Sequence, residues 1–196
     1  MTGDWLADGR TELATERILD AVRALFVEKG ASGVGMAEVA EAAGCSRATL
    51  YRYFDNRQAL YVAFAGREAQ QLVERVWRDR PNDASTDRAE QLLDGVAAVL
   101  AEVRKTPHLA VWFEPANSGI VAQLSNSSHV IDAIGTGFVA GYRPGLSAVA
   151  ARMLGQWVVR VVVSLLTLPG AGEEEERAML RNFLLPFLLD ERTRIE

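Results

Sequence analysis

Gly44-Cys45-Ser46-Arg47-Ala48-Thr49-Leu50-Tyr51-Arg52-Tyr53-Phe54, followed by Asp55-Asn56-Arg57, decides the fold of this 196-residue chain. The stretch reads as a tight turn, a very short helix and the entry to another helix. Gly44 permits the positive φ that a sharp turn between helices needs. Ser46 is a good N-cap, its hydroxyl placed to accept an orphan backbone N–H. Leu50 and Phe54 are four apart, share a face and can anchor the helix to a core. Arg47, Thr49, Arg52 and Tyr53 lie outside that pair, with Tyr51 at its edge. Such a face suits a nucleic-acid groove. Arginine grips guanine or phosphate, threonine offers a hydroxyl and a methyl, and tyrosine hydroxyls bond phosphate oxygens.

The residues upstream complete a helix-turn-helix. Met36, Val39, Ala40 and Ala43 follow helical spacing over about two turns, and two short helices joined by such a turn place the second in a major groove. Before them, Ile18, Val22, Leu25 and Phe26 form an amphipathic stripe. Lys29-Gly30 closes that helix with a cation and then glycine. Three helices of this size need a fourth element for stability.

Phe26 through Leu60 resembles the DNA-binding domain of the TetR family of bacterial transcriptional regulators. The resemblance is carried by Phe26, Gly30, Val39-Ala40, Ala43-Gly44, Ser46, Thr49-Leu50-Tyr51, Tyr53-Phe54, Asn56-Arg57 and Leu60. It implies base reading by Arg47, Ala48 and Thr49, and phosphate contacts from Tyr51, Tyr53 and Arg57, with Arg52 beside them. With Ser46 these are the candidate DNA-binding residues. Gly35 departs from the pattern, standing where the family commonly opens its second helix with a hydroxyl residue. Ala37 cannot hydrogen-bond a base, so sequence reading is expected to depend on Arg47 and Thr49. Cys45 stands where the family usually has a small aliphatic residue.

Net charge is −5, which argues against coating of nucleic acid at large. Over residues 44–57, however, Arg47, Arg52 and Arg57 face only Asp55. A small cationic face suits selective docking. The hydrophobic share of 49% is that of a globular chain, and the single cysteine excludes an internal disulfide. Two scattered histidines give no metal-ligand spacing, and neither metal nor cofactor is expected. The acidic N-terminus has no apolar core, so no signal peptide is expected and the cytoplasm is the expected compartment.

The fold class expected is all-α, an N-terminal three-helix bundle (1–57) followed by a helical ligand-binding and dimerisation domain (58–196). A connecting helix is expected from about Asn56 to the Val76-Trp77 region, with Leu60, Phe64, Leu72 and Val76 inward. Arg80 to Asp87 reads as a polar break. Asp87 and Glu90 resemble a capping box ahead of Leu92, Val96, Leu100 and Val103. A helix after Pro107 is broken by Pro115 and Gly119. A short helix over Ile120–Leu124, a loop over Ser125–Ser128 and a helix through Val130, Ile131, Ile134 and Phe138 follow.

Leu146 to Leu168 is almost continuously apolar, so more than one face must be covered. Its length would span a membrane, but Arg152 and Arg160 lie inside it, each costing roughly 2.5–3.5 kcal/mol on an insertion scale. It could be a monomer's central helix. The expectation adopted is that one face packs on its own domain and another on a second subunit. After Pro169-Gly170, Glu173–Glu176 suit a helix N-terminus. Leu180, Phe183, Leu184, Phe187 and Leu188 form a wide apolar face, and Pro186 should kink the helix or restart its last turn. The expected homodimer interface is Val158, Val162, Leu165, Leu166, Leu180, Phe183, Leu184 and Phe187, isologous about a two-fold axis. The family's dimerisation through its last two long helices agrees with this.

Trp112, Phe113, Phe138, Tyr142 and Trp157 could line a ligand cavity, with His108, Asn117, Gln156 and Arg160 as polar handles. Each aromatic could equally be core. Arg160 would need a carboxylate or ligand anion if buried. The resemblance implies a small, often apolar effector that spreads the recognition helices and releases double-stranded operator DNA. The function expected is therefore a ligand-responsive regulator, a repressor binding a pseudo-palindrome as a dimer. The alternative is a helical adaptor that binds protein only. No phosphate loop, nucleophile elbow or paired carboxylate speaks for an enzyme.

Overall fold

The computed structural model describes residues 5–31, 33–78, 87–117, 121 and 128–189. Among them every regular element is helical: α1 (Trp5–Lys29), α2 (Met36–Ala42), α3 (Arg47–Tyr53), α4 (Arg57–Arg78), α5 (Arg88–Lys105), α6 (Pro107–Ala110), α7 (His129–Tyr142), α8 (Ala148–Thr167), α9 (Glu173–Phe183) and α10 (Leu185–Leu189). Two 3-10 turns, Val111–Phe113 and Pro115–Asn117, follow α6. The expected polar break at 80–86, most of the expected 120–124 helix and the loop at 125–127 lie outside the described residues.

The chain divides into two compact units, Met1–Ala65 and Gly66–Glu196, and the division falls inside α4. In the first unit α1 buries Ile18, Leu19, Val22, Leu25 and Phe26. Phe26 meets Tyr61 and Phe64 of α4 edge-on, at 5.1 and 5.2 Å between centroids, the geometry that aromatic quadrupoles favour.

Gly35 opens α2 without a side-chain cap. Glu38 compensates: its carboxylate accepts the Gly35 N–H at 2.9 Å and pairs with Lys29 at 2.7 Å. Those two donors, Lys29 first, hold the Glu38 carboxyl below its ordinary range. Gly44 turns the chain at φ +65°. Ser46 then accepts the Thr49 N–H at 3.0 Å, and Leu50 and Phe54 sink into the core. Asn56 caps α4 by accepting the Ala59 N–H at 2.9 Å.

In the second unit Asp87, Ser128 and Ser147 cap α5, α7 and α8 through backbone N–H groups of the first turn. Leu92, Leu93 and Leu100 of α5 pack with Val139, Leu154, Leu180, Leu184 and Leu188 into one core. The α7 and α8 backbones touch where Gly135 crosses Gly155. A Cβ on Gly155 would lie 2.6 Å from the Gly135 carbonyl carbon, so only hydrogen fits. Of the four glutamates opening α9, Glu176 turns inward and receives both Nη atoms of Arg104, at 2.9 and 2.6 Å. Helix α9 ends at Phe183 and Pro186 sits in the first turn of α10, a restart.

Candidate functional site

Helix α3 presents the side chains that its sequence selects. Because Leu50 and Phe54 take the buried face, Arg47, Ala48, Tyr51 and Arg52 are exposed and Thr49 and Tyr53 are half-exposed. Ser46 is exposed but occupied as the cap, and its hydroxyl also lies 2.9 Å from that of Thr49. The Arg52 guanidinium lies over the Tyr53 ring at 5.3 Å. The face thus joins two exposed arginines to hydroxyl groups, a set able to take phosphate oxygens and base edges. Arg57 is exposed at the start of α4 yet partly committed. Its Nη2 donates to the Ala31 carbonyl at 3.2 Å, and its guanidinium rests 4.9 Å from the Tyr61 ring centroid.

The second unit carries an apolar cavity of about 480 Å³ that is partly open to the surface. Four helices and the first 3-10 turn build it: Leu72 and Trp77 of α4, Val99 of α5, Phe113, Ile134 of α7 and Val162 of α8 are representative. Its aromatic wall is a T-shaped contact between Trp77 and Phe138, 6.0 Å apart.

Of the nine residues expected at a ligand site, only Phe113 and Phe138 reach this cavity. His108 Nε2 instead lies 2.9 Å from the buried Glu68 carboxylate, which also accepts from Arg67 at 3.1 Å. Asn117 is buried and donates to the Val111 carbonyl at 2.7 Å. Trp112 is buried outside the cavity wall. Tyr142 packs on Phe138 beneath Arg88. Gln156 donates to Asp132 at 2.9 Å, and that bond, then Arg152, holds the Asp132 carboxyl low. Trp157 and Arg160 are exposed on another side of α8, so Arg160 needs no buried counter-ion.

The expected interface divides as well. Val158, Val162 and Leu166 line the cavity. Leu165, Leu180 and Leu184 are buried within their own chain, whereas Phe183 is 70% and Phe187 41% exposed. Other large apolar side chains that periodicity did not single out are exposed too: Val149, Met153 and Trp157 of α8 and Met179 of α9. A groove of about 370 Å³ runs between the two helices there. Residues 148–167 are long and apolar enough to cross a membrane. Here the same helix divides its apolar surface among a core, a cavity and this exposed stripe.

The α3 geometry has counterparts. Residues 18–64 match the family model described as bacterial regulatory proteins, tetR family. The chain is 41% identical over 185 residues to the uncharacterized HTH-type transcriptional regulator Rv1255c of Mycobacterium tuberculosis, covering 94% of this chain and 90% of that one. It is 27% identical over 187 residues to the HTH-type transcriptional regulator AlkX of the same organism, covering 92% and 88%. Its fold is similar to the crystal structure of the TetR family repressor AlkX from Dietzia sp. strain DQ12-45-1b, with a TM-score of 0.64, 22% identity and coverage of 89% and 94%. A helix-turn-helix with this capping, this buried pair and these relatives has one assignment: the chain belongs to the TetR family of bacterial transcriptional regulators and is not an enzyme.

Proposed function

We propose that this chain is a repressor that binds a pseudo-palindromic operator as a homodimer and leaves it when a small, apolar molecule enters the second unit. The observation that carries the reading is the α3 face, where Arg47, Ala48, Tyr51 and Arg52 stand in solvent above a buried Leu50. One such helix reads too few bases to find a site. Two, held one helical turn or a multiple apart, read a symmetric one. We assign base reading to Arg47 and Thr49 and phosphate contacts to Tyr51, Arg52, Tyr53 and Arg57.

The exposed stripe on α8 and α9 supports the dimer. Large apolar side chains such as Met153, Trp157 and Phe183 are open to water in the single chain, and patches of that kind mark interfaces. A second copy of the chain covers them in this reading. Family members bind DNA as dimers and respond to small molecules. The apolar cavity supports the effector, and the similar Dietzia protein, a repressor implicated in biodegradation of n-alkanes, supports the sign of regulation.

Selection of duplex DNA from a random pool by the purified protein tests this. Enrichment of an inverted repeat is expected. A folded dimer that enriches no sequence would leave the DNA-binding reading without support.

A further inference from the structure

We propose that the effector is a hydrocarbon with no charged or hydrogen-bonding head group, a saturated chain being its simplest form. This rests on the reading of the cavity as the effector site. Among the described residues that line the cavity, the Trp77 indole N–H is the single hydrogen-bonding side-chain group. The remaining wall is aliphatic, phenyl or glycine, as Leu72, Val99, Phe113, Ile134 and Val162 illustrate. Polar side chains on the surrounding elements are engaged away from it. Gln156 bonds Asp132, His108 meets Glu68, and Asn117 bonds the Val111 carbonyl.

A ligand carboxylate carried into such a wall loses its water and finds no donor, and an unpaired ionised group is the costliest one to desolvate. A hydroxyl or amide head meets the same want at lower cost. A methylene, by contrast, gains from each contact, and affinity should rise roughly fourfold per carbon.

Three ten-carbon probes with the full-length protein form the test: n-decane, 1-decanol and decanoate, at neutral pH. The readouts are tryptophan fluorescence, to which Trp77 in the wall contributes, and release of selected DNA. Decane should bind at least tenfold more tightly than decanoate, with decanol between them, and shorter alkanes should weaken in even steps. Tighter binding of decanoate or decanol than of decane would overturn the proposal. The cavity itself is tested by Val162→Phe and by Gly137→Leu, since a Cβ on Gly137 meets no atom within 4 Å. Both variants, checked for folding by circular dichroism, should weaken decane at least tenfold. If decanoate wins and the variants still block it, the head-group inference fails while the cavity keeps its role. If no probe is affected in either folded variant, the effector site lies elsewhere and both readings fail.

Discussion

Arg57 and Tyr61 converge on one acceptor: the Arg57 guanidinium and the Tyr61 hydroxyl both donate to the Ala31 carbonyl, at 3.2 and 2.8 Å. The Tyr61 oxygen also lies 2.9 Å from the Val34 carbonyl. The first turn of α4 is thereby tied to the segment between α1 and α2, which only α2 separates from the recognition helix. Tyr61 is buried, and burial is the main cause that pushes its phenol above the ordinary tyrosine value, with Arg57 opposing.

Tyr61→Phe should therefore cost about 1–3 kcal/mol by leaving buried carbonyls short of a donor. It should also change the alkaline limb. The folded tyrosine holds its proton to higher pH than the unfolded one. Its contribution is complete below the unfolded value of about 10 and lost as pH rises through the raised folded value. Thermal melts between pH 8 and 11 should show a steeper loss for the parent protein than for Tyr61→Phe.

Arg47 and Arg57 should separate by what they read. Arg47→Ala should reduce discrimination at one operator position by about 1–3 kcal/mol, with weaker loss on unrelated DNA. Arg57→Ala should weaken all sequences alike and flatten the salt dependence. Because Arg57 also braces Ala31, it should lower the melting temperature as well, which Arg47→Ala should not. Binding isotherms at several salt concentrations, read beside melting curves, check both.

Phe183→Glu should yield monomers, since the side chain is exposed in the single chain and a charge there harms only an interface. Val162→Asp should behave differently. It places a carboxylate in the cavity wall, so it should destabilise the second unit before it alters the oligomer. Sedimentation with circular dichroism distinguishes the two. A Phe183→Glu protein that remains dimeric would move the interface off this stripe.

Acid sensitivity should trace to α9. The hydrogen bond from Arg104 is the first cause holding the Glu176 carboxyl low, and that from Arg177 does the same for Glu90. Carboxyls that titrate lower when folded stabilise the fold fully above their ordinary value of about 4.3. The contribution is lost as pH falls through the depressed folded values. Arg104→Met should make stability less pH-dependent below about pH 4.3 while lowering it at pH 7, as melting curves would record.

Local rules made much of the first unit legible. Gly44, the Ser46 cap and the Leu50–Phe54 pair depend on residues within four positions; in the second unit the restart at Pro186 was equally local, since proline fits a first turn but not a helix interior. The second unit resisted for two physical reasons. In α8 almost every position is apolar, so periodicity offers no contrast between Val162 in a cavity wall and Trp157 in solvent. The polar side chains, in turn, find partners far along the chain: His108 bonds Glu68, and Gln156 bonds Asp132. Engaged there, they do not reach the cavity wall, and no local signal in the sequence shows it. Trp77 was legible only as the end of a helix, although it stands opposite Phe138 in the cavity wall.

The most direct measurement is a hydroxyl-radical footprint of the dimer on its selected operator, taken with the parent protein and with Arg47→Ala. Two symmetric zones of protection should appear, their centres one helical turn, about 34–36 Å, or a multiple apart, and both should fade together in the variant. A single zone, or a pattern that Arg47→Ala leaves unchanged, would contradict recognition through paired α3 helices.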